Sequence, residues 1–279
     1  MGYIDLHVHS TESDGTMTPR ELVQYACEKG LSAFALTDHD TVKGVGPALI
    51  TAEYLPVTVI PGVELTSLWD EHSIHVLGYF IDHNNPDFVA RLEEISMMRT
   101  NRNYKMCELL QKQGFNITMD ELLSRHSSIN INRANIADLL IEKGYVRDRK
   151  EAFDKYIGRT CPCYIPSFKI SIEEAADLIA SVGGVSVIAH PVKYGFSNDE
   201  YYELFHYAKV IGIHGIEALY SENTFNDEVK FKDYARKLDM FITGGSDYHG
   251  MNKPAIDMGT GKGNLMVPDT LLDIIRRTK

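Results

Sequence analysis

The chain opens on an alternation of apolar and polar positions, YIDLH over residues 3–7, that suits a half-buried strand. Thr18, Pro19 and Glu21 then supply an N-cap, a first-turn proline and the acid of a capping box, and Gly30 supplies a stop. That spacing predicts a helix between them. SAFALT is a short apolar run ending at Thr37-Asp38-His39, VTVIPGVE reads as a strand running into Glu64, and IHVLGYF as another containing His75. Strand, helix and strand in alternation imply parallel strands joined by crossover helices.

From about Asn84 the pattern changes. The stretch from Phe88 to Lys112 is long, polar-faced and helical, Thr118 and Glu121 form a second capping box, and RANIADLLIEK after Asn132 reads as a further helix. No strand-like run follows until about Tyr164. The pattern predicts a helical insertion over roughly residues 84–165, leaving 1–83 and 166–279 as one discontinuous domain. There the alternation resumes. Ser171 and Glu174 cap a helix that stops at Gly183-Gly184, and VSVIA delivers His190 at its end. GIEALY and MFITGG are strands, the second running into Ser246-Asp247-Tyr248-His249, and LLDIIRR is a closing amphipathic helix.

Chemistry-bearing residues gather at the ends of these runs. His7, His9, Asp14, His39, Glu64, His190, Asp247 and His249 fall at or just after a strand-like segment, where an α/β barrel carries its active site, and His75 lies within one. His7 and His9 are two apart in extended chain, so both side chains project to one side and can grip one metal ion. Asp14, in a Ser13-Asp14-Gly15 turn, can fold back over the same strand end. His39 stands between Asp38 and Asp40, one of which could orient its ring. His190 directly follows an apolar strand and needs a partner or a metal, while Asp247 and His249 alternate after two glycines that let backbone approach closely. Singly, each is an ordinary turn, pair or surface charge. Together they converge only if the strands lie side by side with their carboxyl ends at one face. Mixed imidazole and carboxylate donors suit zinc, manganese or iron without choosing among them. The remaining His72, His83, His126, His206 and His214 lack this placement and are expected in surface or core roles.

Composition narrows the partners. A chain of 279 residues with 44% hydrophobic content can bury one large core, or one core plus a small inserted domain. Its formal net charge of −11 argues against wrapping long nucleic acid, which relies on basic stripes. Cys27, Cys107, Cys161 and Cys163 show no disulfide-rich or zinc-ribbon spacing, and the Cys161-Pro-Cys163 step reads as loop and core. The start of the chain has no basic region leading into a long apolar run, and no uncharged stretch is long enough to cross a bilayer. The expectation is a cytoplasmic protein with no membrane partner; oligomeric state is not legible.

Taken in order, DLHVHSTESDGT, ALTDHDT, PGVE, the His75-containing IHVLGY, IAHP and GGSDYH resemble the successive motifs of the PHP family, the polymerase and histidinol phosphatase domain of the amidohydrolase superfamily. The resemblance implies an α/β fold, a distorted (β/α)7 TIM-like barrel with an inserted helical cap, and a trinuclear centre of divalent manganese, zinc or iron. It implies that His7, His9, Glu64 and Asp247 hold one ion, that Glu64 bridges to a second held by His75 and His190, and that Asp14, His39 and His249 hold the third. Glu64, Asp247 and His249 would then be the catalytic ligands. Three such ions would reverse the local field set by the carboxylates of Asp14, Glu64 and Asp247.

The insertion, with INRANIADLLIEKGYV and AFDKYI, resembles the cap of the branch that hydrolyses nucleoside monophosphates and 3′,5′-bisphosphates. In that branch a basic cap residue reaches the substrate phosphate; Arg133 stands at the matching position, with Lys155 as a second candidate. Lys193-Tyr194 stands where many members carry Arg-Tyr, which keeps the charge and loses the bidentate fork. The implied reaction is hydrolysis of a small phosphorylated substrate, a nucleotide, by attack of a metal-bridging hydroxide, with no serine or cysteine nucleophile. Other esters on the same centre would be a cyclic phosphate sugar, histidinol phosphate or the 5′ end of a short oligonucleotide. The cap argues against histidinol phosphate and the acidic chain against a processive nuclease. Readings from other classes are amide or lactone opening and a metal-binding module without turnover.

Overall fold

The computed structural model describes residues 2–125, 131–166 and 168–278; His126 lies outside the described residues. They form two compact units, one of residues 1–90 with 169–279 and one of residues 91–168. The first unit carries β1 (Tyr3–Val8), α1 (Pro19–Glu28), β2 (Ala33–Leu36), α2 (Val45–Ala52), β3 (Thr58–Trp69) and β4 (His72–Tyr79). The helix α3 (Pro86–Lys112) begins in it and continues into the second unit, followed there by α4 (Met119–Arg125), α5 (Arg133–Glu142) and α6 (Arg149–Ala152). The first unit resumes with β5 (Ile170–Ser171), α7 (Ile172–Ser181), β6 (Val185–Ile188), α8 (Asn198–Val210), β7 (Gly215–Tyr220), α9 (Phe225–Lys237), β8 (Phe241–Gly245), β9 (Val267–Pro268) and α10 (Thr270–Thr278).

The sheet runs β8-β7-β6-β4-β3-β2-β1-β9, with the short β5 beside β3. Curvature brings its ends together into a nearly closed barrel. The Asp247 amide donates to the His7 carbonyl at 2.9 Å and the His9 amide to the Tyr248 carbonyl at 3.0 Å. At this seam a Cβ on Gly245 would lie 2.3 Å from the His7 Cβ, so only glycine lets β8 close on β1. One core joins Ile4, Leu6, Ile60, Leu77, Val185 and Val187 of the strands to Leu271, Leu272 and Ile275 of α10, and another packs α1 and α2 on β1, β2 and β3.

Most strand pairs are parallel, as the strand–helix alternation predicts, but β4 runs antiparallel to both β3 and β6. The reason is local. Only Asp70 and Glu71 separate β3 from β4, Asp70 has φ 53°, and a two-residue link can only reverse the chain. The reversal takes the place of one crossover helix.

Helix starts follow the capping chemistry. The Thr18 side chain accepts from the Glu21 amide while Glu21 reaches back to the Thr18 amide, and Gly30 follows the helix at φ 71°. Asn132 and Asn135 form the same reciprocal pair at α5. The starts of α8 and α9 carry equivalent boxes from Ser197 with Glu200 and from Thr224 with Asp227. The second unit has its own core, with Met106, Leu110, Leu122, Ile136, Leu140, Ile157 and Cys163 buried together, and includes a π-helical turn at Phe153–Ile157. Among the described residues no helix is long and apolar enough to cross a membrane.

Candidate metal centre

Glu64, fully buried in the middle of β3, is the hub of the site. Its Oε1 lies 2.8 Å from His75 Nδ1 and 2.9 Å from His190 Nε2. Its Oε2 lies 3.0 Å from His39 Nδ1, 3.3 Å from His9 Nε2 and 3.4 Å from His7 Nε2. Asp247 Oδ1 approaches the same two Nε2 atoms, at 3.3 Å from His9 and 3.7 Å from His7. On the other side of His9, Asp14 Oδ1 lies 3.1 Å from His249 Nε2, and Asp14 Oδ2 lies 3.8 Å from His39 Nε2.

The ligand atoms therefore form four overlapping groups, each gathered within 4.8 Å: His9, Asp14, His39 and His249; His7, Glu64 and His190; His7, His9 and Asp247; His39, Glu64 and His75. All nine residues singled out by the sequence fall in them. The donor set fits divalent ions. His7 Nε2, His9 Nε2 and Glu64 Oε2 are buried with no hydrogen-bond partner among the described residues, a cost that a shared cation would remove.

Without an ion, the charges lean on one another. Burial opposes the Glu64 carboxylate, but His39, His75 and His7 outweigh it and hold its pKa well below the ordinary value. Burial likewise opposes the His7 imidazolium, yet Glu217, Glu64 and Asp247 raise its pKa well above the usual value. At His190 and His249 burial prevails and lowers the pKa.

Several residues support the ligands, of which Asp38 was one of two acids expected to orient His39 and the others were not singled out for this in the sequence. Glu217, in the middle of β7 and fully buried, accepts from His7 Nδ1 (Oε1 at 3.0 Å, Oε2 at 3.2 Å) and from the His190 amide (Oε2 at 2.6 Å). Asp38 accepts from the Ser10 amide at 2.7 Å and the Ser13 hydroxyl at 2.6 Å, fixing the turn that carries Asp14. Asp5 accepts from the Ser246 amide and the Gly259 amide, at 2.8 and 2.7 Å. The Tyr194 hydroxyl accepts from the His75 amide at 3.1 Å and donates to the Ala189 carbonyl at 2.8 Å. For Asp5 and Glu217 the signal was a charged group inside a mostly apolar strand, which must be partnered to stay buried. His190 and Asp247 also have positive φ, 25° and 59°, a backbone strain that their surroundings must hold.

The proposed substrate contacts are placed as follows. Arg133 opens α5, its guanidinium 5.4 Å from the Phe153 ring centre and 5.3 Å from that of Tyr164, and it donates to the Ile157 carbonyl at 3.4 Å. Nearby Arg102, 6% exposed, has its pKa pushed down to about 10 by burial and by the charges of Arg133 and Arg99. Lys155 pairs with Glu151 at 2.8 Å, and Lys193 pairs with Glu222 at 2.8 Å above the Tyr220 ring.

Known proteins are similar to this chain over most of its length. The model of the PHP domain matches residues 5–160. A 3′,5′-nucleoside bisphosphate phosphatase of Chromobacterium violaceum is 31% identical over 93% of this chain and 91% of its own length. The 5′-3′ exoribonuclease Rnm of Escherichia coli is 32% identical over 91% of this chain and 87% of its own. Among solved structures, an amidohydrolase from Chromobacterium violaceum superposes with a TM-score of 0.78 at 31% identity, covering 92% of this chain and 90% of that one. One from Bifidobacterium adolescentis, classed as a metal-dependent phosphoesterase, gives 0.80 at 30% identity, covering 99% and 96%. A buried constellation of imidazoles and carboxylates, a barrel whose strands and strand ends carry it and relatives matched over nearly their full length lead to one assignment: the chain belongs to the PHP family and is a metal-dependent phosphoesterase.

Proposed function

We propose that this phosphoesterase acts on the terminal phosphates of nucleotides, a 3′,5′-nucleoside bisphosphate or nucleoside monophosphate, with three divalent ions of manganese, zinc or iron. The observation that carries this reading is the likeness, over nearly the whole length of both chains, to a relative named as a 3′,5′-nucleoside bisphosphate phosphatase. A nucleotide carrying phosphate at more than one position supplies an ester of the kind that a metal-dependent phosphoesterase hydrolyses.

His7, His9 and Asp247 with Glu64 would hold one ion, Glu64 with His75 and His190 a second, and Asp14, His39 and His249 the third. When bound, the ions supply Lewis acidity towards the phosphoryl oxygens and acidify an attacking water. The residues do the positioning. Glu64 turns Oε1 towards His75 and His190 and Oε2 towards His7, His9 and His39, so it would be shared between ions, and Asp247 turns a single oxygen towards His7 and His9. Arg133, held against Phe153 and Tyr164, offers its fork to a phosphate that does not react.

A second reading, stepwise 5′-3′ trimming of short oligoribonucleotides, is favoured by the relatives named as exoribonucleases. With manganese present, phosphate and nucleotide release from adenosine 3′,5′-bisphosphate, adenosine monophosphate, a cyclic phosphate sugar, histidinol phosphate and a 5′-phosphorylated trinucleotide tests both. The bisphosphate is expected to be cleaved fastest. Mononucleotide release from the trinucleotide at a higher kcat/KM selects the second reading, and preference for histidinol phosphate or the cyclic sugar sinks both.

A further inference from the structure

We infer that Glu217 is the positioning residue that joins the two halves of the metal centre, fixing which nitrogen His7 presents and holding His190 in its strained backbone. The inference rests on the proposed assignment of His7 and His190 as metal ligands. Glu217 is itself outside the four groups of ligand atoms, yet it is fully buried with both oxygens engaged. Its carboxylate spans two strand ends: His7 is next to last in β1 and His190 follows β6.

The contact to His7 sets a tautomer. Glu217 takes the proton on Nδ1, so the lone pair of the neutral ring sits on Nε2, the atom that faces Glu64 and Asp247. The contact to His190 sets a backbone. At φ 25° and followed by Pro191, His190 occupies a conformation that a side chain disfavours. The 2.6 Å bond from its amide to Glu217 Oε2 ties that conformation to the barrel and aims Nε2 at Glu64 Oε1, 2.9 Å away. One carboxylate thus governs a donor atom in each of two ligand groups, through bonds that involve no ion.

Glu217→Gln separates this role from simple space filling. The glutamine keeps the shape, and its oxygen must stay on the His190 amide, because an NH2 there would face another donor. The amide nitrogen then falls at the position nearer His7 Nδ1, donates to it, and drives the ring proton onto Nε2. Elemental analysis after dialysis against manganese, titration of the metal-free protein with cobalt followed by its visible spectrum, and thermal unfolding are measured for both proteins. Expected is a cooperatively folded variant whose tightest ion binds about 10- to 100-fold more weakly, with an altered cobalt spectrum.

A folded variant with wild-type affinity and spectrum overturns the inference while leaving the metal centre standing. A wild-type protein that binds no ion overturns the centre itself. If the variant does not fold, ¹⁵N-histidine spectra of the cadmium-loaded wild type decide. Coupling to cadmium at His7 Nε2 with a proton on Nδ1 supports the inference, and coupling at Nδ1 overturns it.

Discussion

Tyr220 donates its hydroxyl to Asp247 Oδ2 at 2.8 Å, and Lys253 Nζ meets the same oxygen at 2.7 Å, which leaves Oδ1 to face His7 and His9. A carboxylate so restrained presents one oxygen inward rather than two. Tyr220→Phe is expected to fold and to bind its ions about 10- to 100-fold more weakly. Equal manganese affinity in the variant and the wild type would show that the hydroxyl does not orient Asp247.

Removing the ions exposes a dependence on pH. Burial disfavours a charged His39, but Glu64 and Asp14 outweigh it and raise its pKa from 6.5 to about 9. His7 is shifted in the same direction. A group whose pKa rises on folding stabilises fully below its unfolded value and loses that contribution as pH climbs through the folded one. His190 and His249, shifted down, titrate below 6.5 and stay out of this window. The thermal midpoint of chelator-treated protein should therefore fall between pH 6.5 and about 9. The rise in midpoint on adding excess manganese should grow over the same interval, because ions replace the protons. A metal-free midpoint that climbs across it would contradict the charge balance drawn here.

Arg133→Ala should raise KM for the preferred nucleotide about 10- to 100-fold, the loss of a charge-assisted hydrogen bond, with metal content unchanged. Arg133→Lys should recover only part of this, since lysine cannot fork. A fall in bound metal, or an unchanged KM, would remove Arg133 from the substrate site.

Thr18→Ala tests the frame rather than the chemistry. Losing the capping hydroxyl, which accepts from the Glu21 amide at 3.3 Å, should cost about 1 kcal/mol in urea unfolding. Turnover per folded molecule should be unaffected; a change in it would mean that α1 communicates with the ligands.

Legibility in the sequence followed the range of the interaction. Thr18 with Glu21 and Ser171 before α7 could be read because a cap is settled within four residues. Eight of the nine candidate ligands could be read because imidazoles and acids repeat at the ends of apolar runs; His75, inside one, came from the order of the motifs, and Glu64 proved to lie within a strand that continues to Trp69. The antiparallel β4 could not be read from alternation, because its direction depends on a two-residue turn at Asp70-Glu71. Glu217 was visible as a charge inside GIEALY, but its partners His7 and His190 lie in other strands. Arg102, buried in a long polar-faced helix, had nothing in its periodicity to set it apart from Arg91 and Arg99 of the same helix. The starts of α8 and α9 carried complete boxes that the weak apolar stripes around them did not advertise.

The seam at which Gly245 admits no side chain beside His7 has a consequence for synthesis. His7 is synthesised long before Asp247, from whose amide its carbonyl accepts a hydrogen bond across this seam. Such distant pairing makes closure slow compared with local contacts. A site completed only by that closure cannot gather all its donors until the two strands have met.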